Sequence, residues 1–187
     1  MRIIAGRYKG RRMSMPKGIR PTMDKIREAI FNVLGTKVKG ASVLDLFAGG
    51  GSFGIEAISR GALSAVLSDK HISSTKTIKK NLSLLEDMDA GKASVITKDA
   101  MGAIKSLHNR SKKFDIVFLD PPYHKGWVRK CLKYISIYDI LSHSGWIIAE
   151  HSKKDKIFIE EEPLKLMRQL KYSDTIISIY NRGEQDD

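Results

Sequence analysis

Apolar and polar residues are arranged along the chain in two periods, one typical of strands and one typical of helices. Short apolar runs bounded by turn residues predict strands near 42–48, 64–69, 93–98, 114–120 and 145–150. Apolar residues at helical spacing predict helices between them, near 52–60, 72–86, 100–109 and 126–141. Regular alternation of strand and helix predicts an α/β fold with a mostly parallel sheet.

Both ends of the chain depart from this alternation. The first twenty residues contain glycines at 6, 10 and 18, which predict a short hairpin or an extended arm. After this arm, Thr22 is a predicted N-cap for a helix from Met23 to Leu34. Near the other end, the segments 156–159 and 175–180 are strand-like. These two segments predict an antiparallel edge, which brings the expected sheet to seven strands.

A glycine cluster follows the first predicted strand of the alternating region. Glycine allows sharp turns and close approach of the backbone to a ligand, and the helix behind the cluster offers free N–H groups. Asp69 ends the next strand, twenty residues after Gly49, which is the spacing at which an acid meets ribose hydroxyls in a nucleotide-binding βαβ unit. The residues predicted to bind a cofactor at these two strand ends are Asp45, Phe47, Ala48, Gly49, Gly51 and Asp69.

The spacing Gly49-x-Gly51-x-x-Gly54 also satisfies the dinucleotide fingerprint, so a nicotinamide-dependent reductase is an alternative. Asp45 argues against it, because a pyrophosphate would meet a negative charge just before the glycines. A methionine-derived cofactor instead carries an ammonium group that an acid can hold. After the third strand, Asp99 could accept the amino group of an adenine or cap the helix that begins at Ala100. The pattern favours S-adenosylmethionine.

The most specific chemistry lies in the tetrapeptide Asp120-Pro121-Pro122-Tyr123, which ends the apolar strand at 114–120. A carboxylate can accept an N–H from an exocyclic amine, and the two prolines stiffen the turn and remove backbone donors. Tyrosine offers a ring face on which a base can stack. The alternative is an ordinary turn after a strand, since Asp and Pro are common turn residues. With the upstream acids and glycines, the tetrapeptide predicts methylation of an amino group on a base.

Charge points to a polyanionic partner. The chain has 187 residues, which is typical of one domain, and its formal net charge is +12. The first twenty residues contain seven basic side chains and no acid, which predicts contacts with phosphates. The residues predicted to bind RNA are Arg2, Arg7, Lys9, Arg11, Arg12 and Arg20.

Other features exclude several classes of protein. The single cysteine, Cys131, allows no internal disulfide, lies among apolar residues and fits a reducing cytoplasm. The five histidines have no metal-ligand spacing, so no metal is expected. Because neither a membrane-length apolar run nor a signal peptide is present in the sequence, we expect a cytoplasmic protein without membrane contact.

With these residues in view, the chain resembles the bacterial 16S rRNA guanine-N2 methyltransferases that act on the small ribosomal subunit. The resemblance spans nearly the whole length. The segments that carry it are Met1-Arg2-Ile3-Ile4-Ala5-Gly6, 20–34, Asp45-Leu46-Phe47-Ala48-Gly49, Gly54-Ile55-Glu56-Ala57, Ser59-Arg60-Gly61-Ala62, Asn81-Leu82, Asp120-Pro121-Pro122-Tyr123 and Glu150-His151-Ser152. Departures from the family pattern are Gly50 for a frequent serine, Asp69 for a common glutamate and Ser173 for a usual glycine.

The resemblance implies a Rossmann-like class I methyltransferase that uses S-adenosylmethionine. It implies an RNA-binding extension over residues 1–21 and a catalytic domain over 22–187. The implied partner is 16S rRNA in an assembled or nearly assembled small subunit, and we expect the protein to act as a monomer. Two alternatives are a DNA adenine-N6 or cytosine-N4 methyltransferase, which usually carries an inserted target-recognition segment, and a non-enzymatic RNA binder in ribosome assembly.

Overall fold

The protein is described by a computed structural model that covers residues 1–17, 24–155, 157 and 163–183. The chain divides into two compact units, Met1–Ala100 and Met101–Asp187. Within the described residues, no helix is long and apolar enough to cross a membrane.

Among its described residues, the first unit contains the basic arm, three strands and four α-helices. Its elements are α1 (Asp24–Leu34), a short 3₁₀ turn (Gly35–Val38), β1 (Ser42–Leu46), α2 (Ser52–Ser59), β2 (Ser64–Asp69), α3 (Ile72–Leu82), α4 (Asp87–Ala90) and β3 (Ala93–Thr97). Strand β2 pairs in parallel with both β1 and β3, so the carboxyl ends of all three strands lie at one edge. Helix α2 packs on β1 and β2, and α3 packs on β2 and β3.

The second unit completes the sheet. It contains most of α5 (Ala100–His108), then β4 (Phe114–Leu119), α6 (Trp127–Ile137), β5 (Leu141–Ser152), β6 (Leu164–Tyr172) and β7 (Thr175–Arg182). Strands β4 and β5 are parallel, whereas β7 is antiparallel to both β5 and β6. The seven strands are ordered β3-β2-β1-β4-β5-β7-β6, which confirms a mostly parallel sheet with an antiparallel C-terminal edge.

Burial explains the apolar sequences of β1, β2 and β4, whereas β3 has no fully buried residue. In β4, five of six residues are buried, as expected for a parallel strand covered on both faces. Helix α6 buries Val128, Cys131, Leu132 and Ile135 along one side. Complete burial of Cys131 raises the pKa of its thiol to about 12, which confirms that this residue is a small core side chain.

The outer edge of the sheet differs from the sequence prediction. The edge strand that pairs with β7 is Leu164–Tyr172, which the apolar pattern missed because most of its residues are exposed. The segment expected there, 156–159, lies outside the described residues apart from Ile157, which is in no strand. Lysines and arginine on an exposed edge strand discourage pairing with other chains, so a polar edge is the physically reasonable arrangement.

Helix ends also needed correction. The helix predicted over 72–86 ends at Leu82, and the short α4 follows it. The helix predicted over 126–141 ends at Ile137, because Leu141 already begins β5. The predicted N-cap Thr22 and the start at Met23 lie outside the described residues, and α1 is described from Asp24.

The turn between β6 and β7 holds Ser173 at φ +45°, in the left-handed region that favours glycine. Replacing Ser173 with glycine should therefore stabilise the protein by about 0.5 kcal/mol, after allowing for the greater freedom of glycine in the unfolded chain. A rise in Tm of about 1–2 °C is expected in a thermal melt. Ser173→Ala is the control, since alanine does not relieve the left-handed conformation. Equal Tm values for the two variants would contradict this explanation.

Candidate functional site

The glycine loop between β1 and α2 has an unusual backbone. Gly49 and Gly51 have φ of +54° and +84°, and Gly51 is the N-cap of α2 without a side-chain cap. Phe47 also has a positive φ, +64°, a conformation that costs an aromatic residue of order 1–3 kcal/mol. Such strain persists only where the surrounding structure holds it, so contacts from outside the loop must maintain this conformation.

Asp45, on β1, is hydrogen-bonded to the start of α2, directly after the glycine loop. It is 1% exposed, and its Oδ2 accepts a hydrogen bond from the Gly54 amide at 3.0 Å. This bond satisfies one of the free N–H groups of the first turn of α2, which no side chain of the helix caps. A Cβ on Gly54 would come within 2.7 Å of Leu67 on β2, so helix and strand approach closely here.

Asp69 holds the other side of the loop. Its Oδ2 accepts from the Gly49 amide at 3.0 Å, and its Oδ1 accepts from the His71 amide at 2.8 Å. Both carboxylate oxygens therefore already fix backbone, one in the glycine loop and one before α3. Each oxygen has a second lone pair, so Asp69 can still accept from ligand hydroxyls.

Asp99 lies between β3 and α5 and is exposed, and Ala100 is the first residue of α5. Its position fits a helix cap and also leaves the carboxylate accessible at the end of β3. Asp45 is the second-last residue of β1, Asp69 is the last residue of β2, and Asp99 comes two residues after β3, so the three acids lie at the carboxyl ends of neighbouring parallel strands. A ligand at these strand ends therefore meets three carboxylates.

The three carboxylates favour some cofactors over others. A pyrophosphate would be repelled by three acids, whereas S-adenosylmethionine presents an ammonium group, two ribose hydroxyls and an adenine amine, each of which can donate to a carboxylate. The residues present therefore fit S-adenosylmethionine better than a dinucleotide. Among the described residues, no group of three or more His, Cys, Asp or Glu side chains is placed to hold a metal ion.

In the second unit, the tetrapeptide follows directly after β4, and a turn begins at Tyr123. Asp120 is half-buried, Pro121 is buried and Pro122 is exposed. The Tyr123 hydroxyl donates to Glu150 Oε1 at 2.9 Å and lies 3.0 Å from Thr175 Oγ1. Burial, with the nearby Glu150 and Asp120 carboxylates, raises the pKa of Tyr123, so its hydroxyl stays protonated and keeps donating.

The residue after the tetrapeptide is also held. His124 has φ +60°, and its ring is edge-on to the Tyr123 ring, with the centroids 6.1 Å apart. Asp155 lies 3.1 Å from His124 Nδ1 and accepts from the Ser152 amide at 3.3 Å. Tyr123 is thus held at its hydroxyl by Glu150 and Thr175 and contacts the His124 ring, while the residue stays partly exposed.

The arm forms the predicted hairpin, with Arg2 and Arg12 in an antiparallel bridge. Several of its cations are engaged within the first unit. Arg7 pairs with Glu86 at 2.6 Å and with Asp89 at 3.2 Å, and Arg2 lies 3.6 Å from Asp24. Asp89 also accepts from the Tyr8 hydroxyl at 2.6 Å, and hydrogen bonds from Lys92 and Tyr8 lower the pKa of Asp89.

The remaining basic residues of the arm differ in their surroundings. Arg11 donates to the Leu84 carbonyl and lies over the Tyr8 ring, 4.7 Å from its centroid. Lys9 and Arg12 are exposed, and neither side chain has a hydrogen bond or ion pair to any described residue. Arg20 lies outside the described residues. The structure therefore separates cations that hold the arm from cations that face solvent.

Sequence reasoning missed several supporting residues. Glu150 belongs to the quoted Glu150-His151-Ser152 segment, but nothing in that segment shows that it binds Tyr123. Thr175 is distant in sequence and part of no motif. Asn81 was part of the Asn81-Leu82 segment, but only the folded structure shows that its side chain links the arm to the glycine loop.

Comparison with known proteins gives a consistent result. The family model described as conserved hypothetical protein 95 matches residues 1–181. YlbH of Bacillus subtilis, named as a candidate rRNA methyltransferase, is 37% identical over 97% of this chain and 99% of its own length. Ribosomal RNA small subunit methyltransferase D of Escherichia coli (strain K12) is 35% identical over 87% of this chain and 75% of its own.

Solved structures show the same fold. The yhhF protein of Escherichia coli, named as a candidate methyltransferase, superposes with a TM-score of 0.85 at 30% identity over 99% of each chain. SMU.776, another candidate methyltransferase, was solved with S-adenosylhomocysteine. It has a TM-score of 0.64 at 18% identity over 83% of this chain and 48% of its own, and shows the fold alone.

Proposed function

Because the chain belongs to the family of the ribosomal RNA small subunit methyltransferase D proteins, we propose that it methylates the exocyclic N2 of a guanine in 16S rRNA. S-adenosylmethionine would supply an electrophilic methyl group and leave as S-adenosylhomocysteine when the new carbon–nitrogen bond forms. The observation that carries the proposal is the tetrapeptide Asp120–Tyr123 at the end of β4, in which Asp120 is half-buried and the Tyr123 hydroxyl is held by Glu150 and Thr175.

The cofactor is assigned to the strand ends of the first unit. Asp45, beneath the loop, would hold the ammonium group, Asp69 the ribose hydroxyls and Asp99 the adenine amine. The backbone of Phe47, Ala48, Gly49 and Gly51 would line the cofactor, and Ala100 would lie beside the adenine. The three carboxylates and the strained loop support this assignment.

The tetrapeptide is assigned to the base. The lone pair of guanine N2 is delocalised into the ring, so this nitrogen is a poor nucleophile. We propose that the base leaves its stack and lies on Tyr123, while its N2 hydrogens donate to Asp120 and to the Pro121 carbonyl. These bonds favour a more pyramidal nitrogen with a lone pair available for attack. Pro122 stiffens the turn.

Energetics make this arrangement feasible. Unstacking a base costs a few kcal/mol, and stacking on an aromatic side chain returns about 1–3 kcal/mol. Most of the rate enhancement would come from positioning the two reacting groups. The N2 proton can leave after methyl transfer, with Asp120 or water as the acceptor, so no strong base is needed.

The substrate is assigned to 16S rRNA in an assembled or nearly assembled small subunit, with residues 1–21 as an RNA-binding extension of a catalytic domain at 22–187. The solvent-facing cations of the arm support RNA contact, and we expect the protein to select its RNA target by shape and phosphate contacts.

Methyl transfer to unmodified small subunits and to naked 16S rRNA should be compared under single-turnover conditions. Faster transfer to subunits is expected, and faster transfer to naked rRNA would contradict the assembled substrate.

The arm provides a further prediction. Neutralising Lys9 and Arg12 together should weaken RNA binding and reduce the slope of log K against log salt by about 1.5, since each phosphate contact contributes about 0.7–0.9. The matched double variant Arg7→Ala with Arg11→Ala removes the same charge from side chains that hold the arm internally. It should change the salt slope less and lower Tm more. Equal salt slopes for the two double variants, measured by filter binding, would contradict this division.

A further inference from the structure

The basic arm and the glycine loop are joined through one buried side chain, Asn81, at the end of α3. Asn81 is 1% exposed. Its Oδ1 accepts from the Ser14 amide at 2.8 Å, and its Nδ2 donates to the Ser14 carbonyl at 2.9 Å and to the Gly50 carbonyl at 2.8 Å. A side-chain amide has two N–H donors and one oxygen, so every polar atom of the Asn81 side chain is used to connect the arm with the loop.

The arm also touches the loop directly. A Cβ on Gly50 would lie 2.7 Å from Met15 Sδ and 3.1 Å from the Ser14 carbonyl oxygen. Ser14 and Met15 therefore lie against the Cα of a residue in the middle of the loop. Movement of this part of the arm would remove both its packing on Gly50 and the two hydrogen bonds between the Asn81 side chain and the Ser14 backbone.

A second contact fixes the start of the arm on the helix that follows the loop. Glu56 on α2 is fully buried, and its two oxygens accept from the Ile4 and Ala5 amides at 2.8 and 2.9 Å. Gly6 approaches the same helix so closely that a Cβ would lie 1.9 Å from the Ser59 carbonyl oxygen. The hairpin is thus attached to α2 at one end and to the glycine loop at the other.

We propose that Asn81 is a positioning residue that couples docking of the arm to cofactor binding at the glycine loop. The docked arm stabilises the loop conformation through the Gly50 carbonyl, and a cofactor that requires this conformation stabilises the docked arm. Linkage makes the two effects equal in size, so RNA that binds the docked arm raises cofactor affinity by the factor by which cofactor raises RNA affinity. This inference rests on the proposed function, since it takes the loop as the cofactor site.

The coupling can be measured with S-adenosylhomocysteine and trypsin on the full chain. Trypsin cleaves after the exposed residues Lys9, Arg11, Arg12 and Lys17, and its rate follows the fraction of molecules with an undocked arm when cleavage is slow. Saturating S-adenosylhomocysteine should slow cleavage of the wild-type arm by about five- to twentyfold, within the usual range of coupling between sites. In Asn81→Ala, the protection should disappear, and the Kd for S-adenosylhomocysteine should rise by a similar factor.

Thr75→Val is the matched control, because Thr75 is a buried polar residue of the same helix whose hydroxyl bonds Ile72 and Thr97 instead. It should keep both the affinity and the protection of the wild type. Met15→Ala tests the same link from the arm if Asn81→Ala fails to fold, and it should lose part of the protection. The coupling would be overturned if folded Asn81→Ala bound S-adenosylhomocysteine as tightly as the wild type and the ligand still protected its arm from trypsin. If Asn81→Ala does not fold, the same result in Met15→Ala would overturn the coupling.

Failure of the proposed function gives a different result. If the wild-type protein does not bind S-adenosylhomocysteine in a calorimetric titration, the glycine loop is not its site and the coupling falls with it. Binding without any change in arm cleavage overturns the coupling alone.

Discussion

Replacing Asp120 with alanine is expected to lower kcat for methyl transfer by at least about a hundredfold and to change the Kd of S-adenosylhomocysteine by less than about twofold. The carboxylate is assigned to the guanine amino group, so its loss should affect the transition state and leave cofactor contacts in place. Single-turnover transfer from labelled S-adenosylmethionine measures the first quantity and calorimetry measures the second.

The matched control for this variant is Asp115→Ala. Asp115 lies near the start of β4, at the opposite end of the strand from Asp120, and accepts a hydrogen bond from Ser142 at 2.8 Å. The Asp115→Ala variant removes the same charge from the other end of β4 and should retain most of the wild-type kcat. An Asp120→Ala protein with most of its kcat intact would show that this carboxylate does not hold the reacting amine.

Replacing Asp69 with alanine is expected to weaken S-adenosylhomocysteine binding by roughly 10- to 150-fold, because hydrogen bonds to a charged group contribute about 1.5–3 kcal/mol. Asp69 is assigned to the ribose hydroxyls, and it also holds the Gly49 and His71 amides. The variant should therefore lose loop order and some stability as well as affinity. Calorimetry and a thermal melt measure the two effects separately.

Two further variants isolate the role of Asp69. Asp69→Glu keeps the charge and introduces the residue common in the family that the sequence resembles, so it should bind within about threefold of the wild type. Asp87→Ala removes an exposed carboxylate from α4 and should leave affinity unchanged. If Asp69→Ala binds S-adenosylhomocysteine like the wild type, Asp69 has no ribose role and serves only the backbone.

The sequence alone was sufficient to predict the buried strands, because each of them is recognised from its own run of apolar residues. The strands that became β1, β2 and β4 are short apolar runs because they are buried, and their ends agree with the prediction within two residues. The acids at the strand ends could be located for the same reason, since the position of a parallel strand determines the edge at which its last residue lies.

Contacts between distant segments could not be predicted in this way. Strand β6 lies at the edge of the sheet and most of its residues are exposed, so it is not the continuous apolar run by which the buried strands were found; its partial alternation of apolar and polar residues was passed over. In the sequence, nothing distinguishes Arg7 and Arg11 from the neighbouring Lys9 and Arg12. In the folded chain, Arg7 pairs with two acids and Arg11 donates to a carbonyl, all some 70 to 80 residues away. Asn81 and Glu150 likewise act through partners that only the folded chain brings close.

The most direct test of the central claim is the identity of the methylated nucleoside. Small subunits that lack the modification, and duplex DNA, should be incubated with the protein and labelled S-adenosylmethionine, digested and examined by mass spectrometry. The proposed function predicts N2-methylguanosine from the 16S rRNA of the subunits and no product from DNA. Methyladenine or methylcytosine in DNA, or no labelled guanosine from any subunit preparation, would contradict it.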